Sequence, residues 1–387
     1  MGVTAPAGFR ASGVAAGLKA SGAADVALVV NDGPEYSAAA VTTANRVKAA
    51  PVRWTERIVR DGNVRAVVLN SGGANACTGQ DGAADTESTA SEVASLLGCA
   101  ADDVAVCSTG LIGTRLPMDR LLAGVRAASA ELSTDGGEAA SRAILTTDTK
   151  PKTASLTAEG VTVAGMAKGA GMLAPSLATM LVVLTTDALV APAALDATLR
   201  QATWLTFDRL DSDGCMSTND TVLAMASGAS GVMVGRDLDE ADFGAVLTDV
   251  CRSLVEQLLA DAEGASKQIE IRVVSAASEA DAVEIGRAVA RSNLFKCAVH
   301  GEDPNWGRVL AAAGTASAEF DPDDITVAMN GVVVCRHGAA LPEEPKVDLS
   351  SERVVVEVAL NAGSEQATIC TNDLTADYVH ENSAYST

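Results

Sequence analysis

The chain has 387 residues, 48% of them hydrophobic but only 3% aromatic, and a formal net charge of −22. That acidity argues against a nucleic-acid or anionic-membrane partner, since both are held by basic patches. Eight cysteines with no CxxC spacing, and only three histidines, argue against a zinc site. The apolar residues suffice for a core of Ala, Val and Leu. No basic stretch leads into a signal-like apolar segment and no run reaches membrane-spanning length, so a reducing cytoplasm is the expected location.

Short apolar runs at Val64–Leu69 and Val104–Cys107 predict buried strands. Leu116 to Leu132 predicts a helix with Arg120, Arg126 and Glu131 among its polar positions. Met180 to Leu184 is nearly all apolar, the pattern of a strand covered on both faces. Phe243, Val246, Val250, Leu254 and Leu258 recur at helical spacing. Ile269, Ile271 and Val273 alternate with polar residues as a half-buried strand does. Val354, Val356, Val358 and Leu360 share one face of another, whose opposite face carries the apolar Val355 and Ala359. Cys107, Cys251 and Cys335 lie in apolar runs and read as small buried hydrophobes. No repeat, low-complexity tract or long linker interrupts the chain. The expected class is α+β, with sheets layered between helices.

The segment Lys168-Gly169-Ala170-Gly171-Met172-Leu173-Ala174-Pro175-Ser176-Leu177-Ala178-Thr179-Met180-Leu181 is the most telling. Its glycines and proline allow an irregular backbone directly before the apolar strand, with Thr179 at the strand's mouth. If the chain is cut between Ala178 and Thr179, Thr179 carries a hydroxyl nucleophile and a free α-amine able to serve as its base. An α-amine has a reference pKa near ~8 and titrates close to neutrality. Read alone, a threonine at a strand start is far more often an ordinary β-branched residue. In the same way, Ser108-Thr109-Gly110 reads equally as a strand-to-loop turn or as a donor pair for an oxyanion. Asn70 to Gly79 looks glycine-rich enough for a phosphate loop but lacks the Gly-Lys-Ser/Thr ending, and reads as a tight structural loop near the site.

Taken together, these blocks resemble the ornithine acetyltransferase family of arginine biosynthesis, also called bifunctional glutamate N-acetyltransferase. Thr4-Ala5-Pro6-Ala7-Gly8-Phe9-Arg10, Asn70 to Gly79, Ser108 to Gly113, Thr146-Thr147-Asp148, Lys168 to Leu181, Ser217-Thr218-Asn219-Asp220-Thr221, Gly301 to Arg308 and the tail Tyr378 to Thr387 match family blocks in family order. The chain departs from the pattern in three places. Ala262 and Ser266 stand where glycine and threonine are expected, and Glu381 replaces an apolar residue before Asn382.

The resemblance implies a sandwich of helices outside two stacked sheets, with a smaller appended region. It implies self-cleavage into fragments 1–178 and 179–387, an assembly of two copies of each, and acetyl transfer from N2-acetyl-L-ornithine to L-glutamate through acetyl-Thr179 in a ping-pong cycle. Some members also take acetyl from acetyl-CoA. By the same resemblance Thr109 and Gly110 form the oxyanion hole, and Thr147, Thr179, Asn382 and Thr387 contact substrate. From the residues themselves, Lys168 is the natural cation for a substrate carboxylate or for lowering the Thr179 amine pKa, and Glu302 is an anion able to bind a substrate ammonium. Glu302 can equally cap the helix beginning at Asp303-Pro304-Asn305, Thr147 can end a helix, and the terminal Thr387 needs an anchor such as Tyr378 or Tyr385. His300, His337 and His380 are expected to be peripheral. Neither a metal nor an organic cofactor is expected. Two other readings remain open: an N-terminal-nucleophile amidase or aminopeptidase that passes the acyl group to water, and a binding protein with an intact Ala178–Thr179 bond.

Overall fold

The computed structural model describes residues 2–173, 180–343 and 345–384. Thr179, Ala178 and Thr387 lie outside the described residues. Among those described, the strands are β1 (Phe9–Val14), β2 (Val26–Asn31), β3 (Ser37–Thr42), β4 (Ala66–Ser71), β5 (Val104–Thr109), β6 (Lys152–Ala158), β7 (Val161–Lys168), β8 (Leu181–Thr186), β9 (Thr221–Ala226), β10 (Gln268–Ala276), β11 (Thr326–Met329), β12 (Val332–Arg336), β13 (Ala339–Ala340), β14 (Arg353–Ala359) and β15 (Glu365–Asn372). The α-helices are α1 (Ala50–Ile58), α2 (Gly79–Leu97), α3 (Met118–Ala130), α4 (Gly137–Ala143), α5 (Pro192–Leu205), α6 (Glu240–Ala260), α7 (Glu279–Ala290), α8 (Asn293–His300), α9 (Trp306–Ala313) and α10 (Ala376–Ala384).

Two of the three sheets stack face to face. One has the order β1-β2-β4-β5, the other β3-β9-β8-β7-β6. Strand alternation explains the stacking. Ala27 and Val29 of β2, Leu69 of β4 and Cys107 of β5 point inward and meet Met166, Leu181, Val183 and Leu223 of the second sheet. The alternate residues Leu28, Val30, Val68 and Val106 face Val93 of α2 and Leu121 and Val125 of α3. On the far side Val182, Leu184, Val222 and Ala224 face Leu195 and Leu199 of α5 and Leu254 and Leu258 of α6. Each central strand is therefore covered on both faces, which is why Leu181–Thr186 is buried throughout and reads as a continuous apolar run. The result is four layers, helix–sheet–sheet–helix, as expected.

The third sheet, β13-β12-β11-β14-β10-β15, builds the smaller region. Ile269, Ile271 and Val273 of β10 and Val354, Val356 and Val358 of β14 share its core with Val283 and Ile285 of α7, Phe295 of α8 and Val309 of α9. β10 and β14 run parallel with Ile269 beside Val354, so two half-apolar strands present one common face to the helices. Cys107, Cys251 and Cys335 are buried thiols.

Candidate active site

Four strand ends bring the site together. β7 pairs antiparallel with β8, placing Lys168 opposite Leu181. β8 pairs parallel with β9, placing Leu181 beside Thr221. In the facing sheet β5 ends at Thr109. Met180, the residue after Thr179, donates its backbone N–H to Asp220 Oδ1 at 3.1 Å. Burial pushes the Asp220 carboxyl well above its ordinary range.

Lys168 is 1% exposed. Its ammonium lies 3.4 Å from Thr109 Oγ1, which accepts from it, and 4.0 Å from Asp148 Oδ2. Burial lowers the Lys168 pKa, and the charge of Asp148 opposes that shift. Asp148 organises the surroundings. Its Oδ1 accepts from the Gly169 N–H at 2.7 Å and from Lys152 Nζ at 2.6 Å, and its Oδ2 accepts from the Thr146 N–H at 3.1 Å. Lys152 also reaches Asp261 Oδ2 at 2.5 Å. Burial alone would raise the Asp148 carboxyl, but Lys168, Lys152 and these hydrogen bonds hold it at about 2. Lys19, half-buried, is near enough to Lys168 for the two ammoniums to repel, although burial is the larger cause of its lowered pKa.

Gly110 follows Thr109 with φ 129°, and a Cβ there would lie 2.5 Å from the Gly73 nitrogen and 2.7 Å from the Gly72 carbonyl carbon. Only glycine fits this crossing. The loop beyond β4 is tied to it: the Gly72 and Gly73 N–H groups both donate to the Thr109 carbonyl at 3.0 Å, and Asn219 Nδ2 donates to the carbonyls of Ala74 at 2.6 Å and Ser108 at 2.8 Å. Thr109 and Gly110 thus sit on a rigid support, as a preorganised donor site requires.

Thr147 and Asn382 meet on a residue the sequence did not single out. Thr147 Oγ1 donates to Glu263 Oε1 at 2.6 Å and Asn382 Nδ2 to Glu263 Oε2 at 3.0 Å. The Glu263 N–H donates to the Ala170 carbonyl at 2.9 Å, and Glu263 acts electrostatically on Lys168. Glycine again permits the approach: a Cβ on Gly264, at φ 60°, would lie 2.2 Å from the Tyr378 nitrogen. This contact seats α10 and so brings Asn382 to Glu263. Tyr378 donates to Asp213 Oδ2 at 3.5 Å. Asp213, Glu263, Lys296 and Tyr378 border a side cavity of about 60 Å³.

Glu302 is placed elsewhere. It follows the C-terminus of α8, exposed, and pairs with Lys267 Nζ at 3.2 Å. It does not cap the next helix, because Asn305 does so through a 3.3 Å bond from the Arg308 N–H. Among the described residues, the anion joined to Thr147 and Asn382 is Glu263, not Glu302. Thr147 lies in a loop beyond α4 rather than at a helix end. His300 pairs with Asp373 and His337 with Asp324, each at 2.7 Å. Ser266, one of the departures from the family pattern, keeps the hydroxyl a threonine would offer and uses it on Asp373 at 2.5 Å.

The profile of the ArgJ family matches residues 10–387. The arginine biosynthesis bifunctional protein ArgJ of Thermobifida fusca is 64% identical over 387 residues, covering 100% of both chains. That of Streptomyces coelicolor is 60% identical over 386 residues with the same coverage. A crystal structure of ornithine acetyltransferase complexed with ornithine, from Mycobacterium tuberculosis, is 61% identical over 45% of this chain and 94% of that chain, with a TM-score of 0.45.

Proposed function

This chain belongs to the ArgJ family, and from that premise we propose that it cuts itself between Ala178 and Thr179 and then carries acetyl from N2-acetyl-L-ornithine to L-glutamate on Thr179. The observation that carries the reading is the convergence of Lys168, Thr109 and the Met180 N–H on the strand ends that flank residues 174–179. In the cut, Thr179 Oγ attacks the Ala178 carbonyl, and the resulting ester is hydrolysed to give fragments 1–178 and 179–387. In the transfer, the freed α-amine takes the hydroxyl proton as Oγ attacks the acetyl carbonyl, then returns it to the departing ornithine amine. The Thr109 hydroxyl and Gly110 N–H stabilise the oxyanion. Lys168, buried beside Thr109, keeps the Thr179 amine deprotonated by like-charge repulsion. Thr147, Asn382 and Thr387 hold the amino-acid substrate. Glu263, rather than Glu302, supplies the anion for its ammonium. Glutamate then enters the same pocket and accepts the acetyl group.

Acetyl-CoA serves as a second donor in this reading, which takes the two activities of its relatives' common name to be these two sources of acetyl. The fragments pair as two copies of each, in the cytoplasm. No helix of the described residues is long and apolar enough to cross a membrane.

Intact-mass measurement tests the scheme. Purified protein should give two masses, for 1–178 and 179–387, and Thr179→Ala a single uncut, inactive chain. Incubation with N-acetyl-ornithine alone should make the second fragment heavier by one acetyl group. A second fragment starting at any residue other than Thr179 would overturn the assignment. Free acetate released at a rate that glutamate does not affect would point to an amidase instead.

A further inference from the structure

Residues 46–60 invert the charge of the molecule. Arg46, Lys48, Arg53, Arg57 and Arg60 stand against the single acid Glu56, in a chain with 28 Lys+Arg and 50 Asp+Glu. Much of this stretch forms α1, which with the start of α2 borders a cleft of about 540 Å³. Lys48, Arg53, Trp54 and Arg57 contribute to its lining, together with Thr78 and Gly79, and no carboxylate does. Four other clefts on the described surface each include at least one carboxylate. The cations are positioned from outside the cleft. Lys48 is paired with Glu56, and Arg57 is paired with Asp102 at 3.0 Å and lies 4.4 Å over the Trp54 ring. Trp54 is fixed in turn by its indole N–H, which donates to the Val104 carbonyl at 2.9 Å. Among the described residues Arg53 is exposed and has no ion-pair partner. The lining carries three cations and no acid on a strongly acidic protein; with Lys48 and Arg57 held by acids outside it, Arg53 adds the uncompensated charge, and the surface favours an anion.

One loop joins the cleft to the site. Its Thr78 wall ends the loop whose Gly73 N–H is bonded to Thr109. Five residue steps separate Gly73 from Thr78, at most about 18 Å of chain. The strand-end segment along that loop, tied by Ala74 N–H to Leu111 O and Gly113 N–H to Ala76 O, both 2.9 Å, carries the exposed apolar side chains Leu111 and Ile112. A phosphate-rich head in the cleft and an extended, partly apolar arm along the loop would bring an acyl group to Thr109.

We propose that this cleft binds the phosphate-bearing nucleotide end of a coenzyme A thioester, an assignment that rests on the acetyl-transfer reading above. In the step it serves, Thr179 Oγ bonds to the acetyl carbon and the carbon–sulfur bond breaks. The thiolate leaves with the proton that the α-amine took from the hydroxyl, and acetyl-Thr179 is the same intermediate that the ornithine donor forms. Acetyl-ornithine has no phosphate and does not use the cleft, so the two donors are separable by mutation.

The test compares both donors in wild type, Arg53→Glu and Arg57→Ala, with glutamate as acceptor, and measures coenzyme A and inorganic pyrophosphate binding by calorimetry. The charge reversal should raise KM for acetyl-CoA roughly tenfold or more, the size of a lost charge-assisted contact, while KM and kcat for N-acetyl-ornithine stay at the wild-type values. Pyrophosphate should compete with acetyl-CoA and not with N-acetyl-ornithine. Added salt should weaken the first donor far more than the second. Unchanged acetyl-CoA kinetics in both variants, or equal losses for both donors, would overturn the assignment, as would pyrophosphate binding that leaves acetyl-CoA transfer unaffected. Failure of the wild type to use N-acetyl-ornithine would instead count against the functional reading itself.

Discussion

Thr109, the proposed oxyanion donor, is held on two sides. Its hydroxyl accepts from Lys168 Nζ at 3.4 Å, and its backbone is fixed by two N–H groups of the Asn70–Gly79 loop. If that hydroxyl stabilises the tetrahedral intermediate, Thr109→Ala should lower kcat by roughly 10²-fold or more and change KM much less. Steady-state kinetics with N-acetyl-ornithine decide it, since a raised KM with unchanged kcat would make Thr109 a binding residue only. Thr109 and Gly110 came from the family resemblance, since Ser108-Thr109-Gly110 read alone is equally a strand-to-loop turn. Glu263 was not legible, because its partners Thr147 and Asn382 are 116 and 119 residues away. The signal that could have found it lies in the acid itself: Asp261-Ala262-Glu263-Gly264 places two carboxylates before a glycine in the loop that ends a long apolar helix. Glu302 drew attention instead because it sits in a conspicuous motif, and the structure pairs it with Lys267.

The elements explain why a cut at Ala178–Thr179 would not separate the molecule. The five-stranded sheet draws β3, β6 and β7 from residues 1–178 and β8 and β9 from residues 179–387, and β8 lies between β7 and β9. Every hydrogen bond between β7 and β8 would join the two fragments. The core between the stacked sheets mixes both, with Val29, Leu69 and Met166 against Leu181, Val183 and Leu223. The fragments should therefore co-elute in size exclusion at neutral pH and part only under conditions that unfold the sheet. Recovery of soluble 1–178 alone, without denaturant, would contradict this interleaving. Element type was legible wherever the pattern was long. The helix through Phe243 to Leu258 is α6, and the strands through Ile269 and Val354 are β10 and β14. Strand pairing was not, because β3 joins β9 in the other half of the chain, Thr42 beside Thr221, and nothing local in Ser37–Thr42 specifies so distant a partner.

Across the whole molecule, buried carboxyls set how stability should vary with pH. Asp211 is fully buried, and burial pushes its carboxyl from 3.8 up to about 6 despite the opposing charge of Arg291. Burial raises Asp213 and Asp220 as well. The folded chain thus holds protons that the unfolded chain has released, so folding stability falls as pH rises from about 4 through about 6. Asp148, held at about 2 by its lysines, acts in the opposite sense, but its contribution is complete above the ordinary carboxyl value and is lost only as pH falls towards 2. Between pH 5 and 7 the raised group governs. Asp211→Asn removes one titration and leaves Arg291 without its 2.8 Å partner, a loss that shifts stability by a nearly constant amount across that window. Relative to wild type, the variant should gain on the order of 1 kcal/mol as pH rises from 5 to 7, because a shift of about two pKa units has already lost more than half of its effect by pH 5. Urea unfolding of both proteins at pH 5, 6 and 7 measures the difference directly. Parallel stability curves would mean that Asp211 ionises in the folded chain as it does in the unfolded one, so that the Arg291 charge outweighs the cost of burial.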